Sequence, residues 1–455
     1  MNKTARSLLC SAALALLLIC GQPGEISAQG REIDLADFLG LVEENSLDLE
    51  GARIDRQLAA VQERLTRSRL YPTIAGQAAY NRNLLDLEQQ LPIGASTEDA
   101  GGFYPLITQP MDVISDNEVS LGFSLEQRIF DMSVFRALEA SEQFTSLTGT
   151  AYEVARQGIL TEAKRLFYQT LLLEEVLAVR RSSEEIALEN FQETERRFES
   201  GIASRLEVLR SEVNWKITQP ATTQAERNLQ VALQNLKDLA GLPLEEAIVL
   251  TGSLESFPEL PEIPGIGEIR SSRPDYQVLV NERRLRELNV DAQRAAFYPS
   301  LSATATYGLQ AESDQFDFGE GNDTLSVGLA LNIPLFFGGS RFASMDQARL
   351  EVEKVNTQVA QKESEILTEI ETLRLTLREA GQRIESAQQT LATAEEAYSV
   401  TQSSVDSGLS TQLELKDARV SLESARLSYL SAVFDYLSAY FDFQRATGRG
   451  EELPG

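Results

Sequence analysis

Enzymatic chemistry needs nucleophiles, metal ligands or proton carriers, and this chain is poor in most of them. It has no histidine and only two cysteines, Cys10 and Cys20. Catalytic triads, Cys-His pairs and zinc sites are therefore excluded by composition. No glycine-rich loop with a lysine is present to cradle a phosphate, so neither a cofactor nor a metal is expected, and the chain does not read as an enzyme. Carboxylates are what remains: 69 Asp and Glu against 41 Lys and Arg, a formal net charge of −28. That balance disfavours nucleic acid and anionic membrane surfaces as partners.

Among these carboxylates one group is spaced to act together. Glu414 and Asp417 follow Gly408 closely and lie three residues apart, which puts them on one helix face; Glu207 stands in the corresponding place after Gly201. Clustered carboxylates bind cations and raise one another's pKa. The plain alternative is an acidic helix face that simply faces water.

The elements that must position them are long helices. From about Phe135 to Phe198, and again from about Arg341 to Val405, roughly 65 residues contain no proline, which at 1.5 Å per residue predicts helices on the order of 95 Å. Ala155, Ile159, Leu166, Leu173 and Leu177, with Leu367, Ile370, Leu373 and Leu377, form narrow apolar stripes on polar surfaces, the pattern of a coiled coil. Each long helix ends in a tight turn, Glu199-Ser200-Gly201-Ile202-Ala203-Ser204 or Asp406-Ser407-Gly408-Leu409-Ser410-Thr411. Glycine supplies the backbone freedom of a helix end, and Ser or Thr can cap the next helix. Return helices run to about Gly241 and Gly448, with Pro220 expected to interrupt and kink the first.

The chain repeats itself. Arg69-Leu70-Tyr71-Pro72-Thr73 matches Ala296-Phe297-Tyr298-Pro299-Ser300, Ser120-Leu121-Gly122-Phe123 matches Ser326-Val327-Gly328-Leu329, and the two turns match each other. Each copy reads helix, strand, loop, strand, long helix, turn, helix. The strands are read from alternation. Val119, Leu121, Phe123 and Leu125 alternate with small or polar residues, as do Leu325, Val327, Leu329, Leu331 and Ile333. Leu301, Ala303, Ala305, Tyr307 and Leu309, and Ile74, Ala78 and Tyr80, do so more weakly. An apolar face opposite a Ser-, Thr- and Gly-rich one suits a membrane barrel strand, and Tyr71, Tyr80, Tyr298 and Tyr307 sit near strand ends like interfacial anchors. A soluble sandwich alternates for the same reason. Four strands per chain cannot close a barrel, since the smallest need about eight, so a barrel requires oligomerisation.

The N-terminus reads as a secretory leader over residues 1–28: Lys3 and Arg6, an apolar run from Leu8 to Ile19, and Ile26-Ser27-Ala28 before Gln29. Its removal takes both cysteines away and leaves the balance one unit more negative. A lipid anchor at Cys20 is the lesser alternative, because Ile19 is bulky for a lipoprotein cleavage box. The expected division is a first repeat at 29–242, a linker at 243–266, a second repeat at 267–448 and a tail at 449–455. Residues 83–117 are expected to be an outward-facing loop.

Several segments together resemble the TolC-like outer-membrane efflux proteins across nearly the whole mature chain. They are Ile33-Asp34-Leu35-Ala36-Asp37-Phe38 with Glu44-Asn45-Ser46, Ser272-Arg273-Pro274-Asp275, Asn332-Ile333-Pro334-Leu335-Phe336-Phe337-Gly338-Gly339, and Tyr436-Leu437-Ser438-Ala439-Tyr440 through Arg445-Ala446-Thr447-Gly448. The resemblance implies a mainly α fold with a small β part: a homotrimer whose 12-stranded β-barrel, four strands per protomer, continues into an α-helical barrel in the periplasm. It implies an outer-membrane exit duct of a tripartite efflux pump or type I secretion system. Its partners would be a periplasmic adaptor, an inner-membrane pump and outer-membrane lipid. By the same resemblance Glu414, Asp417 and Glu207 mark the constriction of the periplasmic aperture. Gly201, Ile202 and Ser204, with Gly408, Leu409, Ser410 and Thr411, match adaptor-docking tips. The arginine and tyrosine that help to close the family's gate correspond here to Ser410 and Val405, so Arg205 and Arg210 are the candidate substitutes. The rival reading is a secreted coiled-coil structural protein, which fits the helices and leaves the paired strands unexplained.

Overall fold

The computed structural model describes residues 31–85, 88–95, 106–112, 115–254, 257–315, 317, 319 and 321–450. The leader expected at residues 1–28, with Cys10 and Cys20, and residues 451–455 of the expected tail lie outside them. The described elements run in chain order β1 (Arg31–Ile33), α1 (Leu35–Asn45), α2 (Leu47–Ser68), β2 (Thr73–Arg82), β3 (Glu88–Ala95), β4 (Leu106–Asp112), β5 (Asn117–Phe130), α3 (Met132–Glu199), α4 (Arg205–Leu239), β6 (Ile248–Leu250), α5 (Ile266–Ser272), α6 (Pro274–Ala295), β7 (Ser300–Ser313), β8 (Asn322–Asn332), α7 (Ser340–Asp406) and α8 (Gln412–Ala446). The fold is mainly helical with a small β part, as expected. Its chain falls into two compact units. One takes the chain through Glu50 with Arg156–Gly265 and the chain from Glu369, and the other takes Gly51–Ala155 with Ile266–Thr368.

The two long helices contain 68 and 67 residues, close to the lengths expected from the absence of proline. On α7 the buried positions are Ala348, Val355, Val359, Ile366, Ile370, Leu377, Ala380 and Ile384, separated alternately by seven and four residues as far as Leu377 and by three and four beyond it. Up to Ile370 the stripe repeats every eleven residues, three turns at about 3.67 per turn, and from Ile366 to Ile384 it takes the three-and-four spacing of a heptad. The expected seam is corrected accordingly: Leu367 is exposed and its neighbour Ile366 is buried. On α3 the buried line runs through Leu160, Ala163, Phe167, Leu171 and Leu177, with Ile159, Leu166 and Leu173 only half-buried beside it. Pro220 does not interrupt α4, which is continuous from Arg205 to Leu239.

The first unit closes its core with aromatic rings. Phe38 lies 5.9 Å from Phe167, Tyr168 lies 5.5 Å from Phe441, and Tyr436 packs on Phe257 at 5.5 Å while its hydroxyl donates to Pro258 O at 2.8 Å. Lys164 is buried here, donating to Gly450 O at 3.0 Å and Gln444 Oε1 at 3.4 Å. A short parallel pair, β1 with β6, was not foreseen; three-residue strands are too short to show a period.

The second unit carries an antiparallel sheet in the order β2-β5-β7-β8, built from the four segments read from alternation. Its register sorts the two faces. Ile74, Leu125, Ala305 and Val327 align on one row, and Gly76, Phe123, Tyr307 and Leu325 on another. The opposite face carries rows such as Gln77, Gly122 and Gly308 with Thr324, and a hydroxyl contact of 3.2 Å joins Thr306 to Ser326. The apolar face is uncovered: Leu325 is 74% exposed, Val327 78% and Leu329 71%. Side chains so apolar are not left in water at that density without a partner phase. Within 83–117 the chain forms a second hairpin, β3 with β4, so this segment is not simply a loop. The same unit holds a compact ion cluster, in which Asp275 accepts from Arg273 at 2.6 Å and Lys362 at 2.9 Å. Among the described residues no helix is long and apolar enough to cross a membrane.

Candidate functional site at the helical tips

Both turns are built the same way. In the first, Gly201 takes φ 76°, a left-handed conformation that a Cβ would disfavour. This lets Ile202 N–H reach back to Arg197 O at 2.8 Å while Gly201 N–H bonds Phe198 O at 2.9 Å. In the second, Gly408 takes φ 75°, Leu409 N–H bonds Ser404 O at 2.8 Å, and Gly408 N–H bonds Val405 O at 2.9 Å. The longer reach in each case is the Schellman closure of a helix C-terminus. It leaves Ile202 and Leu409 at the crest, 70% and 84% exposed.

The next helix then starts with a capping box at each tip. Ser204 Oγ accepts Glu207 N–H at 3.3 Å while Glu207 Oε2 accepts Ser204 N–H at 2.6 Å. Thr411 Oγ1 accepts Glu414 N–H at 3.2 Å, and Glu414 Oε2 accepts from Thr411 N–H at 2.7 Å and from its hydroxyl at 3.1 Å. Two orphan donors of each helix start are thereby satisfied. The structure brings Gly201, Ile202, Ser204 and Glu207 together at one tip, and Gly408, Leu409, Ser410, Thr411 and Glu414 at the other.

This separates the carboxylates that the sequence grouped. The backbone N–H of Ser204, then its hydroxyl, hold Glu207 below the ordinary glutamate range; Arg197 and Arg210 act in the same direction. Glu414 is lowered by the Thr411 backbone N–H and then by the Thr411 hydroxyl. Within the protomer both shifts therefore run opposite to the upward shift expected of a carboxylate cluster, because each charge is already paid out to amide donors. Asp417, one turn further along α8, is exposed and has no cap to serve. The sequence contained the signal for this: Ser204-x-x-Glu207 and Thr411-x-x-Glu414 are both capping-box patterns.

The other expected residues are placed as follows. The Arg205 guanidinium lies 6.0 Å from the centre of the Phe198 ring, on its own tip. Val405 gives its carbonyl to the second turn, and the Ser410 N–H bonds Ser404 O at 3.3 Å. Beside the tips, Arg197, Glu207, Val213, Ile217, Leu413 and Lys416 line a cleft of about 630 Å³. Its cations and apolar residues come from three helices, so no single sequence window displayed it. Trp215, the only tryptophan, stacks on Phe191 at 5.7 Å and 10° nearby.

A four-stranded sheet with one bare apolar face, together with long helical hairpins with closed tips, suits a channel protein of a bacterial outer membrane. The outer membrane efflux protein family model matches residues 38–242 and 265–449, and the chain belongs to that family. It is 24% identical over 391 residues to the alkaline protease secretion protein AprF of Pseudomonas aeruginosa, covering 85% of this chain and 78% of that one. It is 23% identical to the outer membrane protein TolC of Escherichia coli, over 72% of this chain and 70% of TolC. The Campylobacter jejuni CmeC outer membrane channel has the same fold, with a TM-score of 0.73 at 20% identity over 91% of this chain and 86% of CmeC. The chain is an outer-membrane exit duct of the kind used in efflux or type I secretion.

Proposed function

We propose that three copies assemble into one duct, each contributing β2, β5, β7 and β8 to a 12-stranded barrel. The observation that carries this is the sheet itself. Among the described residues β2 and β8 have no outer neighbour, and an open sheet with one apolar face is unstable both in water and in lipid, where unpaired backbone groups cost several kcal/mol each. β8 runs antiparallel to β2, as the alternating order requires, so β8 of one copy can pair β2 of the next and close the ring without a parallel junction.

In this reading the long hairpins form a helical barrel in the periplasm. The tips, Gly201-Ile202-Ser204 and Gly408-Leu409-Ser410-Thr411, receive a periplasmic adaptor, which joins the duct to an inner-membrane pump. The duct is passive and its partner supplies the energy. Threefold repetition turns Asp417 into a ring, with Glu414 and Glu207 as the rims' fixed charges, and this ring is the cation-selective constriction. Arg210, beside Glu207, is the better placed substitute for the missing gate arginine. The division into repeats at 29–242 and 267–448 with a linker at 243–266 belongs to the same proposal.

Cross-linking tests the assembly. A cysteine at Ala79 in β2, combined with cysteines scanned along Thr324–Leu331 of β8, should give covalent trimers at one register. Only intramolecular products or monomers at every register would overturn it.

A further inference from the structure

The apolar stripe of β8 does not end with the strand. Leu325, Val327, Leu329 and Leu331 are followed, at the same alternate spacing beyond Asn332, by Ile333 and Leu335. Leu335 is 89% exposed and Phe336 82%. At the foot of this stripe Arg341, in the first turn of α7, sits over two aromatic rings. Its guanidinium carbon is 4.0 Å from the centre of the Phe337 ring and 5.6 Å from that of Phe297. Nη1 donates to Pro334 O at 3.3 Å, and no carboxylate among the described residues pairs with the group.

A guanidinium has five N–H donors in a planar fork, and here one is used. Contact with the two rings helps to hold the guanidinium in place, while the remaining donors suit the two oxygens of a phosphodiester. The occupant is set by continuity: the stripe above Arg341 is the same face that meets the hydrocarbon of the membrane, and an arginine at the boundary of such a belt meets headgroups.

We propose that Arg341, held by Phe337 and Phe297, binds the phosphate of a membrane glycerophospholipid whose acyl chains lie along Leu331, Ile333 and Leu335. The site rests on the membrane placement of this sheet and not on which pump the duct serves. It fixes the depth of the barrel in the bilayer, because the headgroup contact and the apolar stripe are joined in one short segment.

The test is native mass spectrometry of the delipidated full-length channel, titrated separately with dioleoylphosphatidylglycerol, dioleoylglycerol and inorganic phosphate. The wild type should retain the phospholipid, and Arg341→Gln should weaken it by about tenfold or more, the loss of one charge-assisted hydrogen bond. Phe337→Leu, which keeps the charge and the apolar volume, should weaken it several-fold. Unchanged phospholipid binding in both variants, or equal retention of dioleoylglycerol by the wild type, would overturn the proposal. Inorganic phosphate binding as tightly as the lipid would reassign the site to a free anion and overturn it as well. Bilayer conductance of the same variants should stay at the wild-type value, which separates failure of this site from failure of the channel reading.

Discussion

Glu414 and Thr411 satisfy each other. The threonine hydroxyl takes the glutamate's N–H, and the glutamate carboxylate takes the threonine's N–H at 2.7 Å. Glu207 and Ser204 repeat the arrangement at the other tip. A carboxylate committed to its own helix start is a structural charge first, and that distinguishes it from Asp417 on the same helix.

The two should therefore separate by experiment. Asp417→Asn should lower divalent-cation block of the channel several-fold while leaving the tip folded. Thr411→Ala should remove the cap, at about 0.5–2 kcal/mol of local stability, read as faster amide exchange over α8's first turn with block unchanged. Loss of block in Thr411→Ala but not in Asp417→Asn would reverse the assignment.

Gly408 is required for its conformation. At φ 75° a side chain costs roughly 1–2 kcal/mol, and the Leu409–Ser404 closure depends on that turn. Gly408→Val should abolish cross-linking to the adaptor while trimers persist. Normal adaptor cross-linking would remove the docking role.

Asp275 is expected to make the second unit acid-sensitive. Burial alone would raise its pKa, but the hydrogen bonds from Arg273 and Lys362 outweigh that and hold it well below the usual aspartate value. A group depressed in the folded state stabilises above its unfolded pKa, about 3.9, and that stability is lost as pH falls from there toward the folded value. Asp275→Asn should flatten this acid limb. At neutral pH it should lower stability, since the buried Arg273 guanidinium, only 5% exposed in its side chain, would lose the carboxylate it pairs with at 2.6 Å. An unchanged acid limb in thermal melts would contradict this.

Lys164 joins the last turns of α8, through Gln444 Oε1, to the chain after it, through Gly450 O. Lys164→Leu should leave buried acceptors unsatisfied, at about 1–3 kcal/mol, and expose the C-terminal residues to protease. Wild-type stability and protease resistance would show that the buried amine is dispensable.

What could be read in advance followed physical period. Alternation located β2, β5, β7 and β8, absence of proline set the lengths of α3 and α7, and Gly-Ile or Gly-Leu followed by a hydroxyl marked the tips. What escaped lacked a period or lay between elements. β1 and β6 are three residues each; β3 and β4 gain their order by pairing with each other. The cleft beside the tips needs three helices, and Lys164 meets its partners about 280 residues along the chain. Ile366 rather than Leu367 is buried because a step of four residues before Ile370, and not of three, continues the stripe that runs on through Leu377, Ala380 and Ile384. Pro220 stays within α4, where packing of the hairpin outweighs its propensity to break a helix.

The most direct test of the central claim is single-channel conductance of the purified protein in planar bilayers. The account predicts discrete, cation-selective openings that divalent cations block, from a complex whose cross-linked mass is that of a trimer. A soluble monomer or dimer that never conducts would contradict it and leave a coiled-coil envelope protein in its place.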